Sequence, residues 1–305
     1  MSHLDFEPLN KTSILEISKP GTLFCFGHGF SSRALARRLT PKGWEVLGTC
    51  RNIDSKNILN NEGQLYEYDG ININKEIYNA IDKSTHLLIS IPPQVSEDPV
   101  LDQFCSEILN WKHLKWVGYI SSTGVYGDRK GEWVNEKSIL KPITATSQRR
   151  VVVESAWLKL YKDNSLPIII FRCGGIYGPG RNVLISVKLG RSKRIEKPGL
   201  VFSRIHVDDL AQTLEASMLN PMPGEIYNVS DDLPSSPSEV VEYACGLLNI
   251  TPPPLIPYES AELSDMARGF YEANKRVSNK KIKVDLGIFL EYPDYKVGLN
   301  ALLKE

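Results

Sequence analysis

Gly27-His28-Gly29-Phe30-Ser31-Ser32 follows directly on the apolar run Thr22–Phe26 and leads into an amphipathic stretch. A glycine turn at a strand–helix junction lets the backbone approach a pyrophosphate. The helix N-terminus behind it supplies N–H donors and the positive end of its dipole. The pattern is G-x-G-x-x-G with Ser32 in the third glycine place. In isolation such turns are often structural, but at the first junction of an alternating α/β chain the pattern reads as a dinucleotide site. Ser32 is small enough for close helix–strand packing, and its hydroxyl is expected to cap the helix or to reach phosphate.

The end of the second strand chooses between the nicotinamide cofactors. The sequence there is Gly48-Thr-Cys-Arg51-Asn52, with no carboxylate before Asp54. An acidic residue would bind both ribose hydroxyls of NAD, whereas Arg51 suits a 2′-phosphate, with Arg33 as a second cation. NADP is therefore expected in preference to NAD. Asp69-Gly70, after the third strand, is expected to meet the adenine. Ser90-Ile91-Pro92-Pro93, after the fourth, is expected to leave room for the nicotinamide ribose. Ser121 closes the expected cofactor set.

These residues need elements to position them. Strands are expected over Thr22–Phe26, Glu45–Cys50, Gln64–Tyr68, His86–Ile91, Trp116–Ile120, Pro167–Phe171 and Glu225–Val229. Helices are expected over Ser31–Thr40, Leu101–Trp111 and Thr144–Tyr161. Apolar strands alternating with helices imply right-handed parallel crossovers and a sheet covered on both faces. The expected fold class is α/β, a Rossmann-type doubly wound parallel sheet with a smaller, mostly C-terminal substrate-binding elaboration. An N-terminal extension covers 1–19 and the dinucleotide-binding domain 20–177. The elaboration covers 178–305, with segments 203–230 returning to the core.

Composition removes other classes. The 305 residues carry 36 Lys+Arg and 36 Asp+Glu, and a neutral balance argues against nucleic-acid binding. No leader-like start and no apolar run long enough for a bilayer are present. Five dispersed cysteines without a C-x-x-C pair point to reduced, buried thiols in a cytoplasmic protein. The five histidines show no metal-ligand spacing, so no metal is expected.

Tyr119-Ile-Ser-Ser-Thr-Gly-Val-Tyr-Gly-Asp128, Arg172-Cys-Gly-Gly-Ile-Tyr-Gly-Pro-Gly-Arg181, Ser203-Arg-Ile-His-Val-Asp-Asp209 and Ile226-Tyr-Asn-Val229 occur in that order. Together they resemble the extended short-chain dehydrogenase/reductases, the family of NAD-dependent epimerases and dehydratases. The likeness is nearest to an atypical, nucleoside-diphosphate-sugar epimerase-like branch, and it runs from about Thr22 to the C-terminus. It implies an NADP-dependent oxidoreductase or isomerase acting on a small molecule, a nucleotide sugar or similar polyol. It also implies dimerisation through helices, for which the helix from Thr144 offers a surface.

The resemblance further implies that Ser122 hydrogen-bonds a substrate carbonyl or hydroxyl, with Thr123 the neighbouring candidate. The family's Tyr-x-x-x-Lys pair is missing. Counting back from Glu154 places Thr146 at the tyrosine position and Arg150 at the lysine position. A phenol, with a pKa near 10, can be lowered into general-base range by a nearby cation. A threonine hydroxyl cannot, and arginine does not deprotonate. Tyr126, Tyr177 and His206 are the nearest substitutes for the acid, and Tyr177, Arg181, Arg204 and His206 are expected to meet an anionic substrate. The alternative reading is a cofactor-binding sensor without turnover.

Overall fold

Thr22–Phe26 (β1) places Leu23 and Cys25 on one side and Phe24 and Phe26 on the other, all without solvent exposure. A strand apolar on both sides belongs in the middle of a sheet that is covered on both faces. The computed structural model describes residues 20–52, 63–94 and 98–304, except the side chain of Met266. The expected extension over 1–19 lies outside the described residues.

Around β1 are Glu45–Cys50 (β2), Gln64–Glu67 (β3), His86–Ile89 (β4), Trp116–Ser122 (β5), Ile168–Cys173 (β6) and Ile226–Val229 (β7). They form one seven-stranded sheet in the order β7-β6-β5-β4-β1-β2-β3, parallel throughout. The order reverses at β1, where β2 pairs on one side and β4 on the other. A crevice opens at such a reversal, beyond the carboxyl ends of the strands.

Alternation along each strand sorts the core into two layers. Leu23, Cys25, Val46, Trp116 and Phe171 pack with Phe30–Leu39 (α1) and Val207–Leu219 (α6). Phe24, Phe26, Leu87, Val117 and Ile170 pack with Glu76–Lys83 (α2), Pro99–Asn110 (α3) and Ala145–Asn164 (α4). A further layer holds Val183–Lys188 (α5), Pro237–Leu248 (α7) and Tyr295–Leu302 at the C-terminal side. Three short parallel strand pairs lie outside the main sheet, over 133–134 with 276–277, 175–177 with 204–206, and 194–196 with 255–257. No helix of the described residues is long and apolar enough to cross a membrane.

Most boundaries fall near the expected ones. The first helix begins at Phe30, the fourth strand stops at Ile89 and the fifth runs on to Ser122. The short helix α2 had no counterpart in the sequence reading.

Between α4 and the strands runs a polar chain that is closed to solvent. The Arg172 guanidinium on β6 donates to Glu154 of α4 at 2.7 Å through Nη2. Both side chains are under 5% exposed. Arg172 also donates to the Tyr126 hydroxyl at 3.0 Å, and that hydroxyl donates to Asn228 Oδ1 at 2.6 Å. Removing one member of such a pair leaves a buried charge uncompensated. Arg172→Ala is expected to lower the unfolding free energy by about 3–5 kcal/mol, read from urea melts at neutral pH.

A second prediction concerns acid. His86 on β4 is buried edge-on against Trp44, with ring centroids 4.7 Å apart. Burial first, and the charge of Lys115 second, push its imidazole down to about 4. As pH falls from about 6.5, the usual value for unfolded histidine, the unfolded chain takes up this proton first. The stability His86 provides at neutral pH is therefore lost between about 6.5 and about 4. In urea melts stepped through that window, His86→Phe is expected to reduce the loss by up to about 1.4 kcal/mol per pH unit. An unchanged slope would place the titrating group elsewhere.

Candidate functional site

The chain leaves β1 through Gly27, whose φ of +88° lies in the region open to glycine. Its N–H donates to Thr49 Oγ1 at 2.9 Å, and the N–H of His28 donates to the Thr49 carbonyl at 2.7 Å. The hydroxyls of Ser90 and Ser32 donate to the Gly27 carbonyl at 2.6 and 2.8 Å. The turn is thus braced from β2, from the end of β4 and from inside α1. This also corrects the reading of Ser32. It is fully buried and its hydroxyl is held by the turn, so it neither caps the helix nor faces phosphate.

Gly29 is the open point. A Cβ added there would meet no atom within 4 Å. As N-cap of α1 it contributes no side-chain hydrogen bond, and the first turn of the helix holds no acidic residue. The early N–H groups of Phe30, Ser31 and Ser32 have no carbonyl one turn back to accept them. His28, next to Gly29, is 4% exposed, and neither ring nitrogen has a hydrogen-bond partner. Burial foremost, then the charge of Arg33, holds it neutral by lowering its pKa to about 4. An open glycine, a helix start without a capping side chain and an orphaned buried imidazole fit the phosphates and sugar of a dinucleotide.

At the end of β2, Arg51 and Asn52 are exposed. Arg33 reaches the same corner, since its charge acts on both His28 and Cys50. Glu67, opposite Cys50 in the register of β3, is the neighbouring carboxylate. Ile91 borders the glycine turn, with Cγ1 3.1 Å from the place of a Gly27 Cβ. Pro92 is exposed and Pro93 buried. Asp69 departs from its expected role toward adenine. Its carboxylate accepts the backbone N–H groups of Ile71 and Asn72 and the Asn72 side-chain amide, each at 2.8 Å. Those bonds hold its pKa down to about 2, and they pin the turn at Gly70, where φ is +94°.

Beyond β5 the structure separates cleft residues from buried ones. Ser122 is half-buried, and its hydroxyl accepts the Gly124 N–H at 3.1 Å. It caps the one-turn 3-10 helix Thr123–Tyr126. Thr146 is exposed in the first turn of α4. One turn on, Arg150 donates to the Ile120 carbonyl at 2.9 Å, which holds its guanidinium at the end of β5. Ser121 lies 3% exposed and donates to Glu154. It belongs to the buried polar chain and not to the cofactor face.

The expected substitutes for the missing acid also lie inside. Tyr126 is fully buried, and its hydroxyl is held by Asn228 and Arg172. Burial raises its pKa despite the neighbouring guanidinium. Tyr177 is 9% exposed and its hydroxyl reaches the Asp294 carbonyl at 3.4 Å. His206 is 1% exposed, with Tyr292 3.8 Å away on one side and Tyr177 5.2 Å away on another. Its Nδ1 accepts the Asp208 N–H at the start of α6, and burial lowers its pKa against the opposing pull of the Asp208 carboxylate. Arg204 donates to the carbonyls of Phe202 and Ser235. In this structure the polar atoms of these side chains are engaged within the C-terminal layer. Arg181 alone of the expected substrate set is exposed.

Sequence reasoning placed Ser90 in the expected cofactor segment without a role for its hydroxyl, and missed Ser147 and Thr49. Ser147 Oγ lies 2.8 Å, and Ser122 Oγ 3.4 Å, from the place of a Gly124 Cβ. Ser147 also shares a 2.8 Å hydrogen bond with Thr144. Its spacing from Arg150 and Glu154, three and seven residues, puts it on their face of α4 and was the available signal. The bracing roles of Thr49 and Ser90 had no comparable signal, because they depend on strands adjacent only in the folded sheet.

No protein-family model matches the chain. A conserved protein of unknown function from Silicibacter pomeroyi is similar in structure over 93% of this chain and 98% of its own, with TM-score 0.85 and 45% identity. A UDP-glucuronic acid 4-epimerase from Bacillus cereus, in complex with NAD, shares the fold over 93% of this chain and 96% of its own, with TM-score 0.76 and 15% identity. A dTDP-glucose 4,6-dehydratase from Neisseria gonorrhoeae is 25% identical over 61% of this chain and 58% of its own. A dTDP-D-glucose 4,6-dehydratase from Dictyostelium discoideum is 26% identical over 44% of this chain and 35% of its own. The chain therefore spans between about a third and three-fifths of the length of the curated relatives it matches. The parallel sheet reversing at β1 and the braced glycine turn agree with these comparisons: the chain has the fold of the extended short-chain dehydrogenase/reductases and is similar, over part of its length, to their NAD-dependent epimerases and dehydratases.

Proposed function

We propose that this chain is an NADP-dependent oxidoreductase or epimerase acting on a nucleotide sugar or similar polyol, without the usual tyrosine–lysine pair. The observation that carries the proposal is the open, braced turn at Gly29 with Arg150 anchored at the end of β5. A bound nicotinamide dinucleotide would supply hydride transfer. The backbone from Gly27 to Ser32 would hold its phosphates, Arg51 and Arg33 a 2′-phosphate, and Arg150 the ribose hydroxyls through donated hydrogen bonds. Ser122 would orient the substrate oxygen.

The proton needs another route. Thr146 is too weak an acid, and Tyr126, Tyr177 and His206 are enclosed. The hydroxyls of Ser122, Ser147 and Thr144 remain, and they would pass a proton between substrate and solvent. Dimerisation through α4 belongs to the same reading, supported by Val152, which is 68% exposed in the middle of that helix.

Titration with NADPH and NADH, followed by fluorescence, tests the cofactor. Tight NADPH and weak NADH binding is expected; failure of both to bind would sink the proposal. Arg51→Asp is expected to weaken NADPH by at least about tenfold and NADH by less than about twofold, because only the former loses a charge-assisted contact. Equal losses would remove the 2′-phosphate from Arg51. For the chemistry, nucleotide sugars would be screened for turnover. On any that reacts, Ser122→Ala is expected to lower kcat about a hundredfold with NADPH affinity unchanged. An unaltered kcat would take Ser122 out of the reaction.

A further inference from the structure

Gly178 and Arg181 close a tight turn after the strand Gly175–Tyr177, each donating its N–H to the other's carbonyl, at 2.9 and 3.0 Å. Asn182 adds a side-chain hydrogen bond to the Gly178 carbonyl at 2.9 Å. This turn sits on the glycine loop. The tip of the Phe30 ring is 3.3 Å from the place of a Gly178 Cβ, and Val207 blocks the same space at 2.7 Å. The Arg181 guanidinium lies over the Phe30 ring, 5.5 Å from its centroid.

Phe30 is the first residue of α1, so a fixed cation stands beside the positive end of a helix dipole. The first turn of α1 contains no acidic residue, and among the described residues no carboxylate pairs with Arg181. Two positive groups held together this way leave a place for an anion between them. His28, in the glycine turn just before Gly29, is buried to 4% exposure with both ring nitrogens unpartnered.

We infer that Arg181 is a cofactor clamp: it closes over the pyrophosphate of the dinucleotide from the substrate side, instead of binding substrate as its place in the sequence suggested. This rests on the dinucleotide reading of the glycine turn. Phe30 is its positioning residue, since the ring face seats the guanidinium.

Calorimetric titration with NADPH, ADP-ribose and AMP tests this in the wild type, Arg181→Ala, Arg181→Lys and Phe30→Ala. ADP-ribose contains the pyrophosphate and AMP does not. Arg181→Ala is expected to weaken ADP-ribose and NADPH about tenfold and leave AMP within about twofold, since charge-assisted hydrogen bonds to one diphosphate are lost. Arg181→Lys should fall between, and Phe30→Ala should follow Arg181→Ala. Unchanged ADP-ribose affinity in Arg181→Ala overturns the clamp while leaving the glycine turn as the cofactor site. An equal loss for AMP also overturns it, because the effect would then not follow the pyrophosphate. If the wild type binds neither NADPH nor ADP-ribose, the dinucleotide reading falls and the clamp falls with it.

Discussion

The buried pairing of Arg172 with Glu154 is the contact on which the site depends. A guanidinium and a carboxylate, each under 5% exposed, are tolerable inside a protein only when their geometry is good and their remaining hydrogen-bond capacity is used. Here the capacity is used by Ser121, Tyr126 and the Glu136 carbonyl, and through Tyr126 by Asn228. These groups come from β5, the turn after it, α4, β6 and β7. Their mutual satisfaction fixes how far α4 stands from the strand ends. That distance in turn places Arg150, one turn before Glu154, at the Ile120 carbonyl. The place of Arg150 at the end of β5 is thus set by a charge pair that never sees solvent.

The same network explains why the second tyrosine of the Tyr119–Asp128 motif is no stand-in for the absent acid. A hydroxyl that donates to Asn228 and accepts from Arg172 is held in both directions, and burial disfavours its ionised form. With that ring inside, the cleft side of α4 carries only Thr146 and Ser147 near Ser122. Hydroxyls of this kind relay protons; they do not store them at neutral pH. Under the proposed function, proton exchange would therefore run through weak acids, and Arg150 would stabilise developing negative charge without giving up a proton.

Much of the sheet was legible because apolar runs such as Thr22–Phe26 and Pro167–Phe171 leave no polar face to place in water. The glycine turn was legible because only glycine takes the φ found at Gly27 without strain. Side-chain direction after a strand end was not. Tyr126 turns inward because Thr123–Tyr126 winds into a 3-10 turn capped by Ser122, and no periodicity announces that turn. Tyr177 and His206 lie near strand ends in the sequence, as cleft residues would. Their strands pair with each other outside the main sheet and are covered by the C-terminal layer. Asp69 shows the same limit at short range, since an aspartate before Gly70 serves an Asx turn as readily as a ligand.

The glycine loop and the C-terminal layer are not independent surfaces. The turn after Tyr177 can approach α1 only because Gly178 has no side chain; a Cβ there would lie 2.7 Å from Val207 and 3.3 Å from Phe30. Tyr177 itself reaches into the C-terminal helix at Gly298, where a Cβ would stand 2.2 Å from its hydroxyl. Two glycines thus let one short segment touch the glycine loop at one end and the last helix at the other. Val207, which packs against Gly178, begins α6, and α6 shares its apolar layer with α1. The C-terminal layer is thus linked to Phe30 by a continuous run of packed atoms that does not pass through the sheet. Phe30 is the side chain at which the glycine loop and the turn after Tyr177 meet.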